Sequence, residues 1–147
     1  PMFPGGKINL TKLFPPTPPS AGPDPVPKSN DERLLGAMVH LLPMVGPLVP
    51  PHLWFFAILP PLVFWQIKRG QSVFLSAVGL EVLNFQICAA GILSLVSILS
   101  HIPLIGIICA LAMPLAIIAA LVLMLVAALE SKQGRFVRYP WIQRWVK

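Results

Sequence analysis

Two long stretches without a charged side chain constrain this sequence more than any other feature. Residues 34–67 and residues 82–129, which are 34 and 48 positions long, contain no Asp, Glu, Lys or Arg. One helix needs about 20 apolar residues to cross a hydrocarbon core of about 30 Å. As a single helix the longer stretch would reach about 72 Å at about 1.5 Å per residue, so it must fold back. The two stretches therefore predict an all-α integral membrane protein with four transmembrane helices.

The composition indicates the same class of protein. Hydrophobic residues make up 56% of the chain and charged residues 11%, against about 25% charged residues in soluble domains. The net charge of +6 would otherwise suggest a nucleic-acid partner. Here the basic residues flank the apolar stretches, as expected for retention on the cytoplasmic face of a membrane. We therefore expect contact with a lipid bilayer and no nucleic acid.

The positions of the basic residues predict the topology. All eleven Lys and Arg lie before residue 34, at residues 68–69 or after residue 131. The connections at residues 50–52 and 101–103 contain none. The positive-inside rule then places both termini on the cytoplasmic side of the cell inner membrane, with the chain crossing it several times. Six prolines between positions 43 and 61 break the first pair of helices, so residues 34–67 either span twice, which we favour, or form a re-entrant hairpin.

The chain divides into a Pro-rich arm and a membrane domain. Residues 1–30 hold nine of the 18 prolines, which predicts an extended arm without a core of its own. Residues 31–147 form the predicted four-helix domain, with an interfacial helix at residues 71–80 and an aromatic, basic C-terminal tail in the headgroup layer. Candidates for docking onto a partner are Ile8, Leu10, Leu13 and Phe14. Candidates for interfacial anchors are Trp54, Trp65, Trp141 and Trp145.

Local signals predict where the first helix begins and where the last helix ends. Ser29 is a favoured N-cap residue, and the acidic residues Asp31 and Glu32 that follow suit the positive end of a helix dipole. Gly134 follows the last apolar stretch and predicts the left-handed residue that commonly terminates a helix.

Polar residues inside the apolar stretches are the candidates for chemistry. Glu81, Asn84 and Cys88 share one face of the third helix by their spacing, whereas Gln86 points elsewhere. The first three form either a polar vestibule or a hydrogen-bonded tie between helices, and we favour the tie. His40 is a candidate haem or pigment ligand, although a hydrogen bond to a neighbouring helix is the more frequent role.

The sequence contains no pattern of catalytic residues. It has no Ser/His/Asp set, no carboxylate dyad, no Gly-rich phosphate loop and no metal-ligand spacing. Such patterns are what an active site requires, so we expect no catalytic residue, no metal, no cofactor and no enzyme.

Several short motifs resemble those of a family of small bacterial membrane proteins of unknown function. They comprise Glu32 and Arg33, residues 37–41 (AMVHL), residues 64–69 (FWQIKR), residues 82–87 (VLNFQI) and residues 134–140 (GRFVRYP). That family is distantly similar to a channel-forming component of the chloroplast inner-envelope import translocon. The resemblance implies a four-helix membrane fold with both ends cytoplasmic. It implies no catalytic residues, because the family has no assigned activity.

Three functional hypotheses follow. Stripes of Ala, Gly and Ser in the third and fourth helices allow close packing in lipid. They favour a non-catalytic accessory or scaffold subunit of a larger membrane complex, for example a respiratory or photosynthetic one. Its partners would be other integral membrane subunits, with their lipids or pigments nearby. The alternatives are a translocon-like transport component with a water-filled path lined by Glu81, Asn84 and Gln86, and a haem- or pigment-binding protein that uses His40.

Overall fold

The computed structural model of the chain describes residue 14, residues 23–48 and residues 50–146. Within these residues all the regular secondary structure is helical, which confirms the all-α prediction. The docking candidates Ile8, Leu10 and Leu13 lie outside the described residues. The α-helices are α1 (Asn30–Leu41), α2 (Leu59–Lys68), α3 (Val73–Leu99) and α4 (Ile105–Lys132), and two 3₁₀ segments, Leu42–Leu48 and Pro51–Ile58, lie between α1 and α2.

Helix α1 begins where the sequence predicts. The Ser29 hydroxyl accepts a hydrogen bond from the Glu32 N–H at 3.2 Å and so caps the helix. The buried side of α1 packs chiefly against α4. At Gly36 the contact is so close that a Cβ atom would lie 2.5 Å from the Ser131 hydroxyl oxygen. The helix ends at Leu41, two residues before Pro43, and the chain continues as a 3₁₀ segment.

Two helices are long and apolar enough to cross a membrane. Helix α3 has 27 residues and α4 has 28. Helices α1 and α2 have 12 and 10 residues, so neither alone reaches the roughly 20 residues that a span needs. The structure therefore provides two candidate spans, and four transmembrane helices stay a prediction.

The helix predicted at residues 71–80 is not a separate element but the first part of α3. Ser72 caps α3 by accepting a hydrogen bond from the Leu75 N–H at 3.2 Å, and the helix runs without a break from Val73 to Leu99. No proline interrupts it. Phe74 and Val78 are buried in the core, so burial inside the protein holds these turns in line with the rest of α3.

The C-terminal tail, residues 135–146, folds back onto α3. Gly134 has a φ of +83°, its N–H bonds to the Ser131 carbonyl at 2.9 Å, and the Arg135 N–H bonds to the Glu130 carbonyl at 3.1 Å. This is the Schellman ending, and it confirms the prediction for Gly134. Within the tail Tyr139 is 1% exposed, whereas Trp141 and Trp145 are 96% and 69% exposed, and a location in the headgroup layer stays a prediction.

The buried core lies at the end of the molecule where the tail folds. It combines side chains from α1, α3, α4 and the tail, namely Val39, Phe74, Leu75, Val78, Val82, Phe85, Met124, Ala127, Val137 and Tyr139. The opposite half of α4 exposes most of its apolar side chains, with Ile107 and Ile108 68% and 70% exposed.

Candidate functional site

The C-terminal tail is hydrogen-bonded along one face of α3. This face is formed by Glu81, Asn84 and Cys88 and is called the polar face. The Asn84 amide donates to the Val146 carbonyl at 3.0 Å, and its oxygen accepts from the Val146 N–H at 2.9 Å. The Cys88 sulfur lies 3.6 Å from the Gln143 carbonyl oxygen. The three residues thus share a face, as their spacing predicts. What they hold is the tail and not another helix.

Glu81 is the electrostatic centre of the polar face. Its carboxylate accepts hydrogen bonds from Arg144 Nε at 2.7 Å and Arg144 Nη2 at 3.3 Å, which is the bidentate geometry typical of an arginine–carboxylate pair. It also accepts the Tyr139 N–H at 3.3 Å. A buried carboxylate is tolerated only when paired and hydrogen-bonded, and Glu81 meets both conditions.

Tyr139 is the centre of the aromatic packing around the tail. Its ring stacks on Phe85 with centroids 4.1 Å apart, and the edge of Phe14 approaches it at 6.3 Å. Phe14, one of the four docking candidates, therefore contacts the tail of its own chain. Burial, and after it the negative charge of Glu81, raises the pKa of the Tyr139 phenol, so Tyr139 carries its hydroxyl proton at neutral pH.

His40 reaches the tail from α1. Its side chain is fully buried, and its Nδ1 lies 2.9 Å from the Tyr139 hydroxyl oxygen. The hydrogen bond favoured for His40 from the sequence is thus present, with the tail as the partner. Its Nε2 has no hydrogen-bond partner among the described residues. His40 and Glu81 together attach Tyr139 to two helices.

The other candidates lie away from this cluster. Gln86 and Trp54 line a cavity of about 30 Å³ beside Pro43 and Gly46, which is room for about one water molecule. Trp65 is half-buried, with the Arg69 guanidinium 5.4 Å above its ring. Of the proposed anchors, Trp141 and Trp145 are strongly exposed, whereas Trp54 lies inside the protein.

A second ion pair lies where the tail begins. Arg135 forms an ion pair with Glu130, whose side chain is 1% exposed. Among the described residues, no group of three or more His, Cys, Asp or Glu side chains is placed to hold a metal ion. The ion pairs Arg144–Glu81 and Arg135–Glu130 therefore hold the tail against α3 and α4.

One family match covers almost the whole described chain, from the first turn of α1 to the end of the described tail. Residues 31–146 match the magnetosome magnetite crystal formation protein family. The chain belongs to this family. The predicted resemblance to a family of small bacterial membrane proteins is confirmed at that level, because the magnetosome family is a family of membrane proteins. The comparison gives no support to the resemblance to the chloroplast import translocon.

Comparisons of this magnetosome family member with curated proteins and with solved structures found no match. The family match therefore carries the functional argument, together with the geometry of the tail.

Sequence reasoning missed the tail residues that complete the cluster. Tyr139 lies 99 residues from His40 and 58 from Glu81, so no local pattern connects them. One signal was present in the sequence. A carboxylate at the end of an apolar helix requires a cation as a partner, and the tail is rich in arginine.

Proposed function

We propose that this protein is a non-catalytic accessory protein of the magnetosome membrane that takes part in magnetite crystal formation. The observation that carries the proposal is the family match over residues 31–146. The two apolar helices α3 and α4, each long enough to cross a bilayer, support an integral membrane location. The family description favours the magnetosome membrane over a respiratory or photosynthetic assembly.

The geometry of the tail supports a structural role. A catalytic carboxylate must reach its substrate, but Glu81 is 5% exposed and engaged by Arg144 and by the Tyr139 N–H. Glu130 is buried as well, and its carboxylate pairs with Arg135. The ionisable groups at this end of the molecule thus stabilise the fold of the tail and leave no described carboxylate of the cluster open to a substrate.

The proposed arrangement in the membrane follows from charge and exposure. The chain crosses the membrane several times with both ends on the cytoplasmic side, since all eleven Lys and Arg lie on that side of the apolar stretches. Helix α4 exposes large apolar side chains such as Leu111 and Leu115, 69% and 68% exposed. These surfaces contact lipid and other integral membrane proteins of the magnetosome.

The two alternative hypotheses gain nothing from the arrangement of their residues. A water-filled path requires accessible side chains, but Asn84 is 1% exposed and bonded to Val146. A haem or pigment site at His40 requires room beside the ring, but the His40 side chain is fully buried and its Nδ1 is engaged by the Tyr139 hydroxyl. Cysteine labelling at Asn84 and an absorption spectrum of the purified protein test the two alternatives.

The proposal is tested in a magnetite-forming bacterium that encodes this chain. A tagged copy should fractionate with the magnetosome membrane, and deletion of the gene should change the size or number of magnetite crystals seen by electron microscopy. Reintroduction of the wild-type gene should restore the crystals. Unchanged crystals after deletion, with the tagged protein absent from the magnetosome fraction, would overturn the proposal.

A further inference from the structure

An apolar groove runs between α3 and α4 next to the C-terminal tail. Its volume is about 270 Å³. An apolar cavity of about 150 Å³ already binds benzene, so this groove has room for a longer alkyl segment. Its walls come from both long helices and from the tail and include Cys88, Ile92, Ala116, Ala119, Pro140 and Trp141.

The depth of the groove corresponds to one leaflet of a bilayer. Its lining runs from Phe85 to Leu93 on α3 and from Leu123 to Ala116 on α4. At about 1.5 Å per residue these stretches are about 12 Å and about 10 Å long. One leaflet contributes about 15 Å of hydrocarbon, half of a core of about 30 Å. The groove starts at the tail, where the exposed Trp141 is typical of an interface.

The tail supplies a further cation at the same end, Arg138, whose guanidinium lies 5.5 Å from the centre of the Phe136 ring. Arg135 pairs with Glu130 and Arg144 with Glu81. Arg138 forms no ion pair with a described residue, and its buried Nε has no hydrogen-bond partner there. It lies two residues before Pro140, at most about 7 Å along the chain.

We propose that the groove binds one acyl chain of an anionic phospholipid whose phosphate lies beside Arg138. The apolar wall and the depth of the groove suit the chain, and the Arg138 guanidinium, which forms no ion pair with a described residue, suits the negative headgroup. The groove opens towards the surroundings of α3 and α4, since Ile92 is 58% exposed. The site requires the membrane location only and does not depend on a role in magnetite formation.

The test uses the full chain, purified in mild detergent and delipidated. Native mass spectrometry measures binding of phosphatidylglycerol and phosphatidylcholine. Ala119→Phe fills the groove and should weaken phosphatidylglycerol binding at least about tenfold, because displacing two methylene groups has an effect of that size. The control Ala110→Phe, nine residues away on the opposite side of α4, should bind like the wild type. Circular dichroism verifies that both variants remain helical.

A second variant tests the headgroup contact without filling the groove. Arg138→Gln should reduce the preference for phosphatidylglycerol over phosphatidylcholine about fivefold. Equal binding of the two lipids by the wild type would overturn the anionic assignment. Unchanged lipid binding by Ala119→Phe, or an equal loss with Ala110→Phe, would overturn the acyl-chain site. If Ala119→Phe bound lipid normally but lost a protein that co-purifies with the wild type, the groove would hold a helix of that protein. This result would also overturn the acyl-chain site.

Discussion

At Tyr139 four parts of the chain meet. Phe14 from the N-terminal arm, His40 from α1 and Phe85 from α3 all contact its ring or hydroxyl, and Tyr139 itself belongs to the tail. It is the only tyrosine in the sequence, so one chromophore reports on the contact between these parts.

Alkaline titration should reveal the burial of Tyr139 directly. Its pKa is raised above the ordinary value of about 10 by burial and by Glu81 of α3, with His40 of α1 facing its hydroxyl. The contribution of the neutral phenol to folding is therefore complete below about pH 10 and is lost as the pH rises further. We expect tyrosinate absorbance to appear only when the protein unfolds. Titration of the folded protein near the pH of the urea-unfolded chain would contradict this.

Removing the Tyr139 hydroxyl should destabilise the protein through His40. Tyr139→Phe keeps the ring that stacks on Phe85 but leaves Nδ1 of His40 buried without its partner. Such an unpaired group costs about 1–3 kcal/mol, measurable as a lower midpoint of thermal unfolding in detergent. The control is the double variant Tyr139→Phe with His40→Phe. It should recover part of the loss, because removing both polar partners costs less than removing one. Full additivity of the two single variants would show that the hydrogen bond contributes nothing.

At the scale of elements, the turn at Gly134 decides where the tail begins. Its positive φ is strained for any residue with a side chain, and a Cβ there would also lie 3.1 Å from Arg33 Nε. Gly134→Ala should therefore lower the free energy of unfolding by about 1–2 kcal/mol. The matched control is Gly70→Ala, since a Cβ at Gly70 has nothing within 4 Å. Equal unfolding midpoints for both variants would contradict the role of the turn.

Attachment of the tail to the polar face should be visible in limited proteolysis. Asn84→Asp removes the amide that donates to the Val146 and Leu80 carbonyls and adds a negative charge one turn from Glu81. The tail should then open more often, and trypsin should cleave after Arg144 about tenfold faster, as expected for a loss of about 1.4 kcal/mol. Asn30→Asp, at the exposed start of α1, is the control and should be cleaved like the wild type. Unchanged cleavage of Asn84→Asp would show that the amide does not hold the tail.

These elements also show which features the sequence could predict. The start of α1 at Ser29 and the end of α4 at Gly134 depend on hydrogen bonds within a few residues, so local rules predicted both. The continuity of α3 and the docking of the tail depend on contacts with distant residues, such as the 58-residue separation between Tyr139 and Glu81. The common face of Glu81 and Asn84 was predictable, but its partner was not.

At the scale of the whole molecule, the two ends have different surroundings. The tail end contains the core and the two ion pairs. The opposite half of α4 exposes Ile107, Ile108 and Leu111 by 68–70%. Water does not favour so large an apolar surface, so this half of the molecule requires lipid or apolar protein around it.

Impermeant maleimide labelling of single cysteines should define the topology. In a background with Cys88 and Cys109 replaced by alanine, Lys28→Cys and His101→Cys should react from opposite sides of the membrane, because α3 is long enough to separate them. Lys28→Cys should react on the same side as Gln143→Cys, since the basic residues gather there. All three sites are exposed. Reaction of His101→Cys from the same side as Lys28→Cys would contradict the assignment of α3 as a membrane span.

A cysteine at Pro50 distinguishes two spans from a re-entrant hairpin. Helix α1 and the first 3₁₀ segment contain 12 and 7 residues. At about 1.5 and about 2.0 Å per residue, they reach about 32 Å if collinear, enough to cross a core of about 30 Å. We therefore expect Pro50→Cys to react from the side of His101→Cys. Reaction from the side of Lys28→Cys would instead show that residues 34–67 enter and leave the membrane on one face, with the second 3₁₀ segment covered by α3.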